Sequence, residues 1–221
     1  MGRKAQNQKP SLPENWPTSP HVTYLTAPSL SKHLTPTQNL VLSGPPPDNA
    51  PIQSLSHVPP VQIQNITTAA HPAYTQRGLF ASRALAPGSF ILFYLGLVHN
   101  GSSPDNDPNS SYDLSMDRDA DLAIDATHMG NEARFVNDYR GVPGRENKGP
   151  NSEFRDCWVS VSKKWERRVG VYVLPVGRAG KRKEGVGKGE EVMVSYGKGF
   201  WCREAGTGKD LEGEDHATTG P

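Results

Sequence analysis

One short polar run and two tyrosines hold most of the groups that could do chemistry. The run Gly130-Asn131-Glu132-Ala133-Arg134-Phe135-Val136-Asn137-Asp138-Tyr139 sets Ala133 and Val136 on one side of a helical turn and Arg134 and Asn137 on another. It breaks at Arg140-Gly141-Val142-Pro143. A turn that ends on Asn-Asp and is stopped by Gly and Pro presents polar groups into a cleft. Tyr196 closes the alternation Glu191-Val192-Met193-Val194-Ser195, and Gly197 lets the chain turn so that the hydroxyl faces a cleft. Tyr94, in Tyr94-Leu95-Gly96, lies in the most apolar run of the chain. Amides, a carboxylate and phenols can bind and orient a ligand. Metal ligands are scarce: Cys157 and Cys202 are too few for a disulfide framework or a four-cysteine zinc site. His99 and His128 read as solvated single residues in loops.

Four motifs occur in order: Gly78-Leu79-Phe80-Ala81; Tyr94-Leu95-Gly96; the central run through Asn137-Asp138, with Pro150-Asn151-Ser152-Glu153-Phe154 after it; and Gly189 through Gly197. The set resembles the SET domain of protein lysine methyltransferases, in a fungal-like form lacking the cysteine-rich zinc segments before and after it. The resemblance runs from about Val61 to about Cys202, and four ordered matches are far more specific than one. It implies a mainly β fold of small curved sheets with a pseudoknot. It also implies S-adenosyl-L-methionine (AdoMet) as methyl donor and a protein substrate carrying the target lysine, a histone tail among the options.

Methyl transfer to lysine needs a neutral amine in line with a sulfonium methyl at about 3 to 3.5 Å. The amine's free pKa is near 10.4, so a narrow apolar and aromatic channel helps by favouring the uncharged form. By resemblance Tyr196 is the catalytic tyrosine, Tyr94 and Phe154 shape the lysine channel, and Val194 holds a second position that governs how many methyl groups are added. Phe in place of Tyr at 154 and the small Val194 both imply room for more than one. Arg77, Gly78, Leu79, Asn137 and Asp138 are the implied cofactor contacts, with Tyr112 and Trp201 as covering aromatics. Read from the residues alone, the other reading of Tyr196 is a strand-end aromatic capping a core, and that of Tyr94 a core aromatic with its hydroxyl at the rim. The chain departs from the family pattern at Gln76 (usually Gly), Asp138 (usually His), Ser152 (commonly Cys) and Ser195 (often Asp). The alternative function is a catalytically inactive SET-fold module that binds a partner protein, and a third reading is a β-rich scaffold with no cofactor.

The elements that must carry these groups are short. Val61, Ile63 and Ile66 read as an edge strand, and Phe90 to Val98 as one buried strand of nine residues. Tyr112–Met116, Leu122–Ile124, Phe154–Val161, Val169–Val176 and Glu191–Tyr196 read as further strands, with very little helix. The basic stretches Lys163 to Arg168 and Arg178 to Lys183 fall between expected strands. They read as solvated hairpin loops, with weak contact to nucleic acid or an acidic segment as the other use.

The first 60 residues are rich in Pro, Ser, Thr, Gln and Asn, with Pro45-Pro46-Pro47 and Pro59-Pro60. They read as a disordered tail, its islands Val22-Thr23-Tyr24-Leu25 and Leu40-Val41-Leu42 being sticky spots or docking segments. Residues 61–205 are then the folded domain and 206–221 a disordered end. A net charge of +1 gives no general pull toward nucleic acid or anionic membrane. No run of about 18 apolar residues spans a membrane. The opening Met1-Gly2-Arg3-Lys4-Ala5-Gln6 has neither the apolar stretch of a secretory signal nor the Ser or Thr of a myristoylation site. The expectation is an intracellular protein, nuclear or cytoplasmic, with the nucleus preferred.

Overall fold

The computed structural model describes residues 11–145, 148–177 and 184–197. Among the described residues, fourteen strands, one α-helix and one 3-10 turn make a mainly β architecture. The longest pair is a hairpin of β12 (Ser152–Val161) and β13 (Lys164–Val173), joined through Ser162 and Lys163, both at positive φ. With β3 (Ile52–Gln53) outside β12 and β6 (Phe90–Phe93) outside β13 it forms a four-stranded sheet, order β3-β12-β13-β6. A second sheet has the order β2-β7-β9-β8, from Ser29–Leu30, Leu97–His99, Leu122–Asp125 and Asp113–Asp117. Three pairs complete the set: β1 (Thr23–Tyr24) with β10 (Met129–Gly130), β4 (Val61–Asn65) with β5 (Arg77–Ala81), and β11 (Asn137–Asp138) with β14 (Met193–Val194). Fully buried Leu79, Ile91, Val171, Val186, Val192 and Val194 lie in the core these sheets enclose.

Three relationships place the site. First, the apolar run at Phe90 to Val98 is two strands in different sheets, not one of nine residues. Tyr94-Leu95-Gly96 is the crossing between them, pinned by Asn131: its Nδ2 donates to Phe93 O at 2.8 Å and its Oδ1 accepts from Leu95 N–H at 3.2 Å. A side chain on Gly96 would collide with the Asp125 carbonyl. Second, the turn Glu132–Phe135 is a 3-10 helix, and it leads straight into β11. Third, β14 is held on two flanks. It pairs in parallel with Asn137 and Asp138. On the other flank Asn151 uses its side chain as a piece of strand: Nδ2 donates to Glu191 O and Oδ1 accepts from Met193 N–H, both at 2.8 Å. The two ends of the 139–151 loop thus grip a segment that comes forty residues later. The regular strand there is only Met193–Val194, shorter than the Glu191–Tyr196 expected, because its neighbours supply side-chain partners where a ladder would run.

Residues 11–60 are not a tail. Trp16, Val22, Leu34 and Leu42 are buried in the core, β1 pairs with β10, β2 and β3 join the two four-stranded sheets, and α1 (Pro36–Ser43) packs against β13. The helix starts at Thr35 with a reciprocal capping box to Gln38, and Pro36 sits at its first position, where its missing N–H costs nothing. Proline-rich stretches bar regular ladders but not packing, and the islands around Val22 and Leu42 are what dock. Residues 1–10 and the expected C-terminal disorder at 206–221 lie outside the described residues.

Two further expectations are corrected. Lys164 to Arg168 are strand, not loop: Arg167 bridges Asp117 and Asp156, and Arg168 is buried over the Phe93 ring with Glu166 as ion partner. His99 is not solvated. It is 1% exposed in β7, with Nε2 3.1 Å from Asp113 Oδ1. The second basic stretch, Arg178 to Lys183, lies outside the described residues.

Candidate active site

Two cavities meet at Tyr112 and Tyr196. The first, of about 340 Å³, is walled by Tyr94, Phe154, Val136, Leu114, Arg134 and Ser195 among others. The second, of about 300 Å³, is walled by His71, Gln76, Asn137, Asp138 and Arg140 among others. Ser111, Tyr112 and Tyr196 belong to both walls. A larger apolar cavity of about 520 Å³ lies beneath α1, against Leu42, Met116 and Trp165. Of the sequence-marked residues it touches only Tyr94, so size is no guide to the chemistry here.

Tyr196 is placed by the 3-10 turn and β11. Its backbone N–H donates to Asp138 Oδ2 at 2.6 Å and its hydroxyl donates to Val136 O at 2.7 Å. Gly197 follows at φ +82°, which turns the chain away as only glycine does without strain. Burial pushes the Tyr196 phenol well above its ordinary range, with the charges of Asp138, Tyr112 and Glu191 adding to it. It is therefore a neutral phenol at physiological pH and no proton acceptor by ionisation.

Tyr94 is buried, and its hydroxyl donates to Tyr112 O at 2.7 Å. Its ring meets Phe154 edge to face, centroids 5.4 Å apart, so the aromatic wall is a rigid pair. Burial raises this phenol too, with the neighbouring Tyr196 hydroxyl and the Asp125 carboxylate adding to the rise. Arg134, buried, donates to Ala126 O and Thr127 O, and its guanidinium stands 4.3 Å over the Tyr112 ring. This cavity thus carries the cations Arg118 and Arg134 against the one carboxylate of Asp113.

On the polar side, Asp138 is an organiser. Its carboxylate accepts from Arg140 N–H at 2.8 Å, Arg140 Nη1 at 2.7 Å and Tyr196 N–H. The guanidinium neutralises the charge that the Asn-Asp sequence brings. Asn137 donates through Nδ2 to Arg77 O at 3.2 Å and to Glu191 Oε1 at 2.8 Å. Glu191 in turn meets His71 Nε2 at 3.1 Å.

The sequence-marked residues thus divide. Tyr196, Tyr94, Phe154, Tyr112, Asn137 and Asp138 converge on the paired cavities. Arg77, Gly78 and Leu79 lie behind that surface in β5, where Arg77 O and Leu79 O already accept from Asn137 and from Val192 N–H. Gly78 makes room, but for protein: a Cβ there would stand 2.6 Å from Glu191 Oε1 and 2.8 Å from Ile66 Cδ1. Val194 is fully buried and lines neither cavity. Trp201 lies outside the described residues. Sequence reasoning passed over His71, Arg134 and Arg140. Arg134 and Arg140 flank the marked Asn-Asp pair and carried that much signal; His71, alone in a loop, carried none. No group of three or more potential metal ligands occurs among the described residues. No helix among them is long and apolar enough to cross a membrane.

No family model matches the chain, and no curated protein matches it. Solved structures do. A humanized mutant of the Chaetomium thermophilum Polycomb Repressive Complex 2, bound to an inhibitor, aligns at 19% identity and a TM-score of 0.45, covering 64% of this chain and 15% of that one. The Chaetomium thermophilum Polycomb Repressive Complex 2 itself aligns at 18% identity and a TM-score of 0.44, covering 64% of this chain and 16% of that one. The matched part is a small share of those longer chains, and likeness at this level leaves the activity to be read from the site.

Proposed function

We propose that the chain is a SET-like, AdoMet-dependent protein-lysine methyltransferase. The observation that carries this reading is the junction of two cavities at Tyr112 and Tyr196: one walled by Tyr94 and Phe154 together with Arg134 and Asp113, the other by Asn137, Asp138 and Arg140, sharing a wall where two reactants could meet. The ordered motifs of the sequence support it independently. The polar cavity fits AdoMet in kind. Arg140, ion-paired to Asp138, has further guanidinium N–H groups for its carboxylate, Asn137 offers an amide oxygen to its ammonium, and Tyr112 gives an aromatic face. The cofactor would supply an electrophilic methyl carbon.

The protein's own part is positioning and desolvation. The Tyr94–Phe154 pair excludes water from the approaching amine, and low dielectric favours its neutral form. Arg134, a permanent buried cation in the same wall, disfavours the ammonium further. The carbonyl of Val136 accepts the Tyr196 hydroxyl and keeps a second lone pair for a C–H donor, whereas the Tyr112 carbonyl is already taken by the Tyr94 hydroxyl and the Ala126 N–H. Tyr196, neutral and fixed through both its N–H and its hydroxyl, orients the reacting groups rather than taking the proton. The substrate class is a lysine side chain of a protein, a histone tail among the options, and a nuclear or cytoplasmic setting goes with this reading. Incubating the full chain with labelled AdoMet and histone or ribosomal protein substrates tests it: label should appear on lysine.

A second reading is favoured by one observation. Arg77 O and Leu79 O, two backbone groups in the segment the resemblance assigns to the cofactor, are already bonded within the protein. A SET-like module that binds a protein partner without transferring methyl groups has the same interior. Calorimetry separates the two. A folded chain that takes up no AdoMet at millimolar concentration is the binding module.

A further inference from the structure

We infer that His71 and Glu191 are positioning residues that lock the Asn137 amide with its oxygen open to the polar cavity, so that this cavity selects a ligand bearing an amine or ammonium. The selection rests on the reading of that cavity as a ligand site; the lock itself does not. The bonds admit one proton arrangement. Ala73 N–H donates to His71 Nδ1 at 3.0 Å, so Nδ1 is the bare nitrogen of the ring. The neutral imidazole then carries its proton on Nε2 and donates it to Glu191 Oε2 at 3.1 Å. Glu191 Oε1 and Arg77 O both lie within hydrogen-bond distance of one end of the Asn137 amide. Two acceptors at that end require the NH2 group there. Asn137 Oδ1 receives no hydrogen bond from any described residue and is not a buried orphan. Since Asn137 lines the cavity, that oxygen is what the amide offers a ligand.

The arrangement is costly for a merely structural purpose. Glu191 and His71 are only 8% and 7% exposed, and a buried carboxylate held by uncharged donors is tolerated only while its hydrogen bonds persist. Ile66 and Phe80 crowd the same spot, where an apolar side chain would pack without that cost. Gly78 gives up its side chain to make the space. Without Glu191, the amide could rotate and offer Nδ2 instead, reversing the preference from donor-bearing to acceptor-bearing ligands.

The test uses the full chain. In the ligand-free, nitrogen-15-labelled protein, His71 should show the Nε2–H tautomer, and the Asn137 side-chain NH2 should exchange slowly. Glu191→Gln, which sets one acceptor before two donors, should remove the slow exchange. With S-adenosylhomocysteine as probe in calorimetry, Glu191→Gln and His71→Ala should each weaken binding on the order of tenfold. Neither should weaken it further in an Asn137→Ala background. His71→Ala serves if Glu191→Gln fails to fold. An Nδ1–H tautomer, losses that add in the Asn137→Ala background, or wild-type affinity in the folded variants would overturn the lock. Spectra that show the lock in a chain that binds no probe keep the lock and remove the methyl-donor reading.

Discussion

The hydroxyl of Tyr196 donates to the carbonyl of Val136 at 2.7 Å, closing a contact between the last described segment and the residue that ends the 3-10 turn. Val136 also lies in the wall of the aromatic cavity, so the bond fixes the ring at the junction of the two cavities.

Tyr196→Phe removes that bond. The loss in stability should be about 1 kcal/mol, the usual net worth of one hydrogen bond. Methyl transfer should fall by about 10², the loss that a misplacement of about 1 Å in the reacting groups causes. Labelled-methyl assays beside urea unfolding report the two numbers, and retained activity in a folded Tyr196→Phe would falsify its catalytic role.

Asp138→Ala should be the more damaging change. It strands the N–H groups of Arg140 and Tyr196 and leaves Arg140 without its ion partner. A loss of about 2 to 4 kcal/mol follows from a broken buried network, read as a lowered urea midpoint, and cofactor affinity should fall with it. Asp138→Asn keeps one acceptor oxygen and should lose less.

Gly78→Ala should cost about 1 to 3 kcal/mol, because the added methyl meets the Glu191 carboxylate and Ile66 inside van der Waals distance. The Asn137 amide should loosen at the same time. Chemical denaturation measures the first effect and amide exchange the second.

A chain begun at Val61 should fail to fold. Trp16 stands edge to face against Tyr24 and Phe135 at 5.0 and 5.7 Å, and Tyr24 donates to Glu132. Residues 16–24 therefore brace the 3-10 turn that leads to Asn137. In the full chain Trp16→Ala should cost about 3 to 5 kcal/mol. A cooperative melt from a chain starting at residue 61, equal to the full-length one, would contradict this.

Cys157 should resist alkylation while the protein is folded. Burial pushes its thiol from 9.0 up to about 12. Below pH 9 the thiol is protonated both folded and unfolded, and stability is unaffected. From pH 9 upward the unfolded chain releases the proton first, so stability falls with rising pH until about 12. The raised phenols of Tyr94 and Tyr196 act in the same sense. Urea midpoints across the alkaline range and mass spectrometry of the Cys157 peptide check both statements.

Much of the site was legible because its parts are local. Asn137-Asp138 after an apolar-spaced turn, and Tyr196 before a glycine, are patterns that backbone geometry alone makes meaningful. Strand identity was legible wherever apolar residues alternated, as at Val61–Asn65 and Asp113–Asp117. What lay hidden was non-local. The break of Phe90 to Val98 into two sheets depends on Asn131, some thirty-eight residues beyond Phe93. The docking of residues 11–60 depends on partners more than a hundred residues away, and composition sees only prolines there.

The sequence by itself determined a mainly β chain with an Asn-Asp turn and two placed tyrosines, since period, turn chemistry and glycine positions act over a few residues. Only the tertiary structure decided what those groups face. His71 reaches Glu191 across 120 positions, and Asn151 reaches the segment before β14 across 40. Such contacts are chosen by which buried donors find acceptors when the sheets close, and no local pattern records that choice.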